Sequence, residues 1–250
     1  MKLEQQRKRF IEVRQLRKSF SGKPVLQGVD LEVFEGETLV VLGGSGEGKS
    51  VMLRHLNGLE RPDSGEVIVE GRRLNDLSED AMADVRKEVA MVFQGGALFD
   101  SFTVFGNVSY PLREHGEMDE AAIARRVTEL LDMVGMTRVE HLYPAELSGG
   151  MKKRVALARS IALQPKAVLY DEPTTGLDPL VTHKINLLIR DLQRQLGFTS
   201  VVVTHDLKSA FMVGDRFALL DQGRIRFSGT ADEVRATRDE LMREFVEIAL

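Results

Sequence analysis

The stretch Val40-Val41-Leu42-Gly43-Gly44-Ser45-Gly46-Glu47-Gly48-Lys49-Ser50 carries an apolar run into a glycine-rich turn, and Val51-Met52-Leu53-Arg54-His55-Leu56 continues it as a helix. Gly43, Gly48, Lys49 and Ser50 stand at the offsets of a phosphate-binding loop. Glycine admits φ > 0 and lets the backbone approach an anion without a Cβ in the way. Backbone N–H groups from Gly44 to Val51 then wrap the phosphates, and the positive end of the following helix adds a favourable dipole. Lys49 is placed to reach the outer phosphates, and the Ser50 hydroxyl to take a magnesium ion. Glu47 is the odd member, because a carboxylate beside a polyphosphate is unfavourable unless it points outward.

The composition bounds what can surround this loop. At 250 residues the chain can bury a full core as one large domain or two closely joined subdomains. It has no cysteine, hence no disulfide framework and no thiolate metal site, which fits a reducing compartment. A formal net charge of −4 gives no broad basic field for nucleic acid. The amino end is locally basic through Arg7, Lys8, Arg9, Arg14, Arg17 and Lys18, read as a solvated face against the alternative of a lipid or nucleic-acid contact. No apolar run approaches the ~20 residues of a membrane span, and the amino terminus is not signal-like. The chain is therefore expected to be soluble, held at any membrane by a partner.

Upstream of the loop, residues 11–41 alternate loosely between apolar and polar and predict antiparallel strands; Phe20 here is either core or a stacking face for a base. Downstream, Ser78 to Lys87 predicts a capped helix, and Val89 to Gln94 a buried strand ending in an amide. The next segment, Gly95 to Phe105, reads as a mobile apolar loop, with Phe99, Phe102 and Phe105 either packed inside or offered to a partner. Periodic apolar positions return at Asp119 to Val134 as a helical insertion. Ser148-Gly149-Gly150 opens another helix with bare amides, a second anion site on the same chain.

Ala167-Val168-Leu169-Tyr170-Asp171-Glu172 is an apolar strand closed by two carboxylates. The first is expected to hold magnesium and the second to polarise an attacking water, the pair pointing to opposite faces. Thr199 to Thr204 repeats the pattern and ends in His205, at the strand end where α/β sheets place ligands. His55, His115, His141 and His183 read as surface or capping residues. Arg216 to Ser228 predicts a hairpin, and Asp232 to Leu250 a helical tail.

Taken in series, these residues closely resemble the ATP-binding subunit of ABC transporters, over nearly the whole chain. The resemblance implies an α/β fold: a P-loop NTPase of the ABC type, with a RecA-like core, an antiparallel β subdomain and a helical subdomain. It implies a single ATP-binding domain over 1–250, with 1–95 and 160–228 forming the catalytic core and β subdomain, 96–159 the helical signature subdomain and 229–250 a tail. It further implies Phe20 as the aromatic stacking residue, Gly43 to Val51 as the phosphate loop and Gln94 as the amide ligand. Ser148-Gly149-Gly150 would be the signature, Asp178 part of the ATP interface, and Glu172 and His205 catalytic, with Gln94. Ser50, Gln94 and Asp171 would hold Mg²⁺. Met151 departs from the glutamine usual at that place.

A narrower likeness, carried by Phe93 to Ser101, Asn107 to His115 and the methionine signature, is to the ATPase of MCE-linked phospholipid transport systems of the Mla type. It implies an enzyme hydrolysing ATP at the cytoplasmic face of the inner membrane, working as a two-copy sandwich with a permease and an MCE-domain lipid-binding protein. No nucleic-acid partner is implied. The alternatives are a soluble ABC ATPase without a permease, or an ABC ATPase serving another cargo. A P-loop kinase would share the phosphate loop but would not need the signature.

Overall fold

The computed structural model describes residues 7–115 and 118–249, with the side chains of 245–249 left aside. Residues 1–6, 116–117 and 250, the last of them part of the expected tail, lie outside the described residues.

Three short strands decide the architecture: β3 (Thr38–Leu42), β7 (Ala167–Asp171) and β8 (Thr199–Thr204), buried along their whole length. A strand covered on both faces reads as a continuous apolar run, which is what β-branched residues here supply. They join β6 (Val89–Val92), β9 (Arg216–Asp221) and β10 (Arg224–Thr230) in a six-stranded sheet of order β10-β9-β3-β8-β7-β6, parallel except for the β9–β10 hairpin. A second sheet is antiparallel and four-stranded, order β2-β1-β4-β5, from β1 (Arg9–Phe20), β2 (Lys23–Phe34), β4 (Ser64–Val69) and β5 (Arg72–Arg73).

Alternation along the parallel strands divides two cores. Val40, Leu42, Val168, Tyr170, Val202, Phe217 and Leu219 face the helices α3 (Val104–His115), α4 (Glu120–Met133), α5 (Gly149–Ser160), α6 (Pro179–Leu196) and α7 (Leu207–Val213). Leu39, Val41, Leu169, Val201, Val203, Ala218 and Leu220 face the antiparallel sheet with α1 (Lys49–Leu56) and α2 (Glu79–Glu88). Each large apolar side chain so buried contributes roughly 1.5–3 kcal/mol. The tail is α8 (Ala231–Arg235) followed by α9 (Glu240–Ala249).

Several expectations are corrected. Gly95 to Phe105 is no loose loop. Its last two residues open α3, and buried Asn107 pins the turn before it: Oδ1 accepts from Phe99 N at 2.8 Å, and Nδ2 donates to the carbonyls of Phe99, Phe102 and Thr103 at 3.0–3.1 Å. His55 is neither surface nor cap but 1% exposed inside α1, while His115, His141 and His183 are exposed. The basic amino end is a salt-bridged face. Lys8 meets Glu35 at 2.6 Å, Arg9 meets Glu32 at 2.8 Å and Lys18 meets Glu60 at 2.7 Å. A broad cleft of about 1030 Å³ on that face, at the amino-terminal edge of the parallel strands, has cations and carboxylates interleaved.

Among the described residues no helix is long and apolar enough to cross a membrane.

Candidate functional site

At the carboxyl ends of β3, β7 and β8 the chain leaves the sheet through turns, and the side chains on those turns converge. Gly46 and Gly48 take φ of 87° and 96°, and α1 begins directly at Lys49. A Cβ on Gly43 would lie 2.4 Å from the Leu220 carbonyl oxygen, and one on Gly48 3.0 Å from Val25 and Leu26. The loop thus keeps its shape only with glycine at both places. Lys49 Nζ, nearly buried, donates to the carbonyls of Gly43 and Gly44, both at 2.8 Å, and lies 3.6 Å from Glu172 Oε1.

The two carboxylates do not point to opposite faces. Glu172 has φ 47°, so strand alternation ends at Asp171 and both acids turn toward the loop. Ser50 Oγ donates to Asp171 Oδ1 at 2.7 Å. Glu172 Oε1 lies 3.0 Å from His205 Nδ1, while its Oε2 accepts from Thr175 Oγ1 at 3.1 Å and Thr204 Oγ1 at 3.4 Å. Glu172 is 9% exposed, its charge balanced by Lys49 and its lone pairs directed by these donors. The imidazole of His205 stands open to the cleft.

The cleft, about 680 Å³, is lined by Val25, Ser45, Gly46, Gly48, Lys49, Ser50, Val51, Gln94, Glu172, Thr175 and His205. Val25 and Thr175 were not singled out from sequence. The first lies on a distant strand, though the close approach of β2 to a left-handed Gly48 is its structural cause. Thr175 had a faint signal, a hydroxyl three residues past an acid in a turn.

Other expected site residues stand apart. Glu47 turns its Oε2 away from the loop to accept from Gln222 N at 2.5 Å in the β9–β10 turn. Phe20 is 42% exposed with Lys18 Nζ 5.2 Å over its ring. Asp178 caps α6, its Oδ1 accepting from Leu180 N and Val181 N, both at 3.0 Å. Ser148 caps α5 by accepting from Met151 N at 3.3 Å, and Gly149 and Gly150 face Leu177 and Val181 at the α6 entrance. The Ser148-Gly149-Gly150 turn does not line the cleft of its own chain.

Residues 26–175 match the family described as ABC transporter. The chain belongs to that family. The methionine import ATP-binding protein MetN of Mesorhizobium japonicum is 44% identical over 84% of this chain, and that of Carboxydothermus hydrogenoformans 42% identical over 90%. The cassette spans 57% of the first of these relatives and 67% of the second. Among solved structures it is similar to the dimeric ATP-binding cassette MJ0796 in a post-hydrolysis state bound to ADP and Pi, with TM-score 0.81, 33% identity, and coverage of 88% of this chain and 98% of that one. It is also similar to cbiO1 of Clostridium perfringens, part of the complex cbiONQ, with TM-score 0.83, 29% identity, and coverage of 97% of this chain and 100% of that one. The α/β fold expected from sequence is thus the ABC ATPase fold.

An ABC cassette hydrolyses ATP with Mg²⁺, and the residues here suit both. The glycine cradle fits a polyphosphate. The Ser50 hydroxyl and Asp171 carboxylate, with the Gln94 amide on the same cleft, form the hard oxygen set that Mg²⁺ prefers. When bound, the metal supplies charge neutralisation on the phosphates. On the protein side, the glycine loop leaves room for a phosphate chain, and Glu172 and His205 line the same cleft.

Proposed function

We propose that this chain is the ATP-hydrolysing subunit of a membrane transporter, acting as a pair of copies at the cytoplasmic face of the inner membrane. The observation that carries the paired site is the separation on one chain of two anion-type sites, the cleft of the phosphate loop and the Ser148-Gly149-Gly150 turn outside it. The cleft of one copy would hold ATP and the turn of the other would close over the γ-phosphate. Glu172, oriented by Thr175, Thr204 and His205, would accept a proton from the attacking water, and Gln94 and Asp171 would join Ser50 at the metal.

The permease would dock on an exposed cluster of aromatic rings. Phe99, Phe102 and Tyr110, exposed by 38–41%, form one aromatic patch with ring centroids 4.9–6.1 Å apart. Beside it runs an apolar groove of about 470 Å³ that includes Met91, Phe93, Pro111 and Leu163, sized for a helix end.

For the cargo, the curated relatives favour import of an amino acid of the methionine kind, since 40–44% identity extends over most of this chain. That identity lies in machinery that does not touch cargo, so a second reading stands beside it. The segments Phe93 to Ser101 and Asn107 to His115, which carry the likeness to phospholipid-transport ATPases, supply two of the three rings of the aromatic patch, Phe99 and Tyr110. In that reading the partners include an MCE-domain lipid-binding protein.

The test is to purify the chain from membranes with its permease, identify what accompanies it, and measure ATPase activity. Stimulation by a methionine-loaded binding protein supports the importer, and stimulation by phospholipid in the presence of an MCE protein supports the lipid reading. Recovery of an active ATPase with no membrane protein attached would overturn the transporter reading.

A further inference from the structure

The turn after Gln94 holds a residue with a Cβ, Ala97, in the left-handed region. Gly96 and Ala97 are successive left-handed residues, with φ of 78° and 47°. For a residue with a Cβ that region is disfavoured, and contacts from outside the turn help to hold it. The partners are two cations of α5. The ammonium of Lys153 donates to the carbonyl of Gln94. The guanidinium of Arg159 forks, Nη2 donating to Gly96 O at 2.8 Å and Nη1 to Ala97 O at 2.9 Å, while the group lies 5.7 Å over the ring of Phe99.

We propose that Lys153 and Arg159 are positioning residues for ATP hydrolysis, a strap that fastens the segment carrying the Gln94 amide to the helix beginning at Ser148-Gly149-Gly150. The inference rests on the ATPase reading above. Lys153 is 7% exposed, so its ammonium is held inside the fold on the Gln94 carbonyl. Three consecutive-region carbonyls, of Gln94, Gly96 and Ala97, are gripped from one helix, so the amide at the cleft and the Phe99 ring keep a fixed place relative to the helix that meets the second nucleotide.

The experiment uses the full chain with ATP and Mg²⁺. Lys153→Met keeps the stem and removes the donors; Arg159→Lys keeps the charge but loses the fork that serves two carbonyls. In both, kcat should fall about tenfold or more, since small misplacements at a reacting centre cost that much or more. KM for ATP, affinity for a fluorescent ATP analogue and the thermal midpoint should stay at wild-type values, and Lys153→Arg should restore most of the rate. Wild-type kcat in both variants overturns the proposal. So does a kcat loss matched by equal loss of nucleotide affinity or thermal stability, which would mark a merely structural role. Absence of hydrolysis by the wild-type chain, run alongside, overturns the ATPase reading itself and is thereby told apart from failure of the strap.

Discussion

Glu172 and Lys49 are neighbours at 3.6 Å with separable duties, and substitution should separate them. Glu172→Gln keeps the size of the side chain but replaces one acceptor oxygen by an N–H donor and cannot take a proton, so ATP binding should persist while kcat falls at least ~10²-fold. Lys49→Ala should instead raise the dissociation constant for ATP, by the ~1.5–3 kcal/mol of a charge-assisted hydrogen bond. Equilibrium binding of a labelled nucleotide beside steady-state turnover checks both. His55 is the residue whose environment sequence hid. Its Nδ1 lies 2.8 Å from Val51 O and so donates there, leaving Nε2 buried as an acceptor without a partner. Burial, the largest cause, holds its pKa below the ordinary 6.5. The unfolded chain then takes up the proton first, so stability is full above pH 6.5 and declines as pH falls below it. Urea unfolding followed between about pH 5 and pH 8 should show this slope in the wild type and a shallower one in His55→Leu.

Among the elements, β3, β7 and β8 were legible because a doubly covered strand is an uninterrupted apolar run ended by polar residues, and those ends are where the cleft lies. α3 was not legible. Gly106 and Pro111 fall inside it, and a proline at that point removes an N–H and reads as a break, yet the helix continues through it. The turn of Glu172 was hidden for another reason: nothing in Asp171-Glu172-Pro173 announces φ of 47°, so sequence placed the acids on opposite faces. The grip of Lys153 and Arg159 on Gln94 to Ala97 spans some sixty residues and no local pattern encodes it. On α3 and its entry turn, the aromatic patch yields its own prediction. Phe99→Glu or Phe102→Glu places a charge on a surface proposed to be covered, so co-purification with the permease should be lost while nucleotide binding and the thermal midpoint hold. Retention of the permease at full stoichiometry would move the docking surface elsewhere.

For the whole molecule, the proposed sharing of the nucleotide site between copies would make turnover depend on concentration. Specific activity per chain should fall on dilution below the dimer constant, and Ser148→Arg, placing a long side chain at the mouth of α5, should abolish hydrolysis while leaving ATP binding to the single chain intact. Turnover per chain that stayed constant through dissociation, followed by light scattering, would contradict the shared site. Assembly with a membrane partner has a different physics, set by Asn107. One buried amide satisfies the backbone on both sides of the turn that presents Phe99 and Phe102, so the proposed docking surface is already shaped in the cassette by itself. Little conformational entropy is then left to lose on association. Capture of the permease should proceed at the ordinary rate for rigid docking, about 10⁵–10⁷ M⁻¹s⁻¹, rather than wait on a folding step. Asn107→Ala should slow that encounter with the rings themselves untouched.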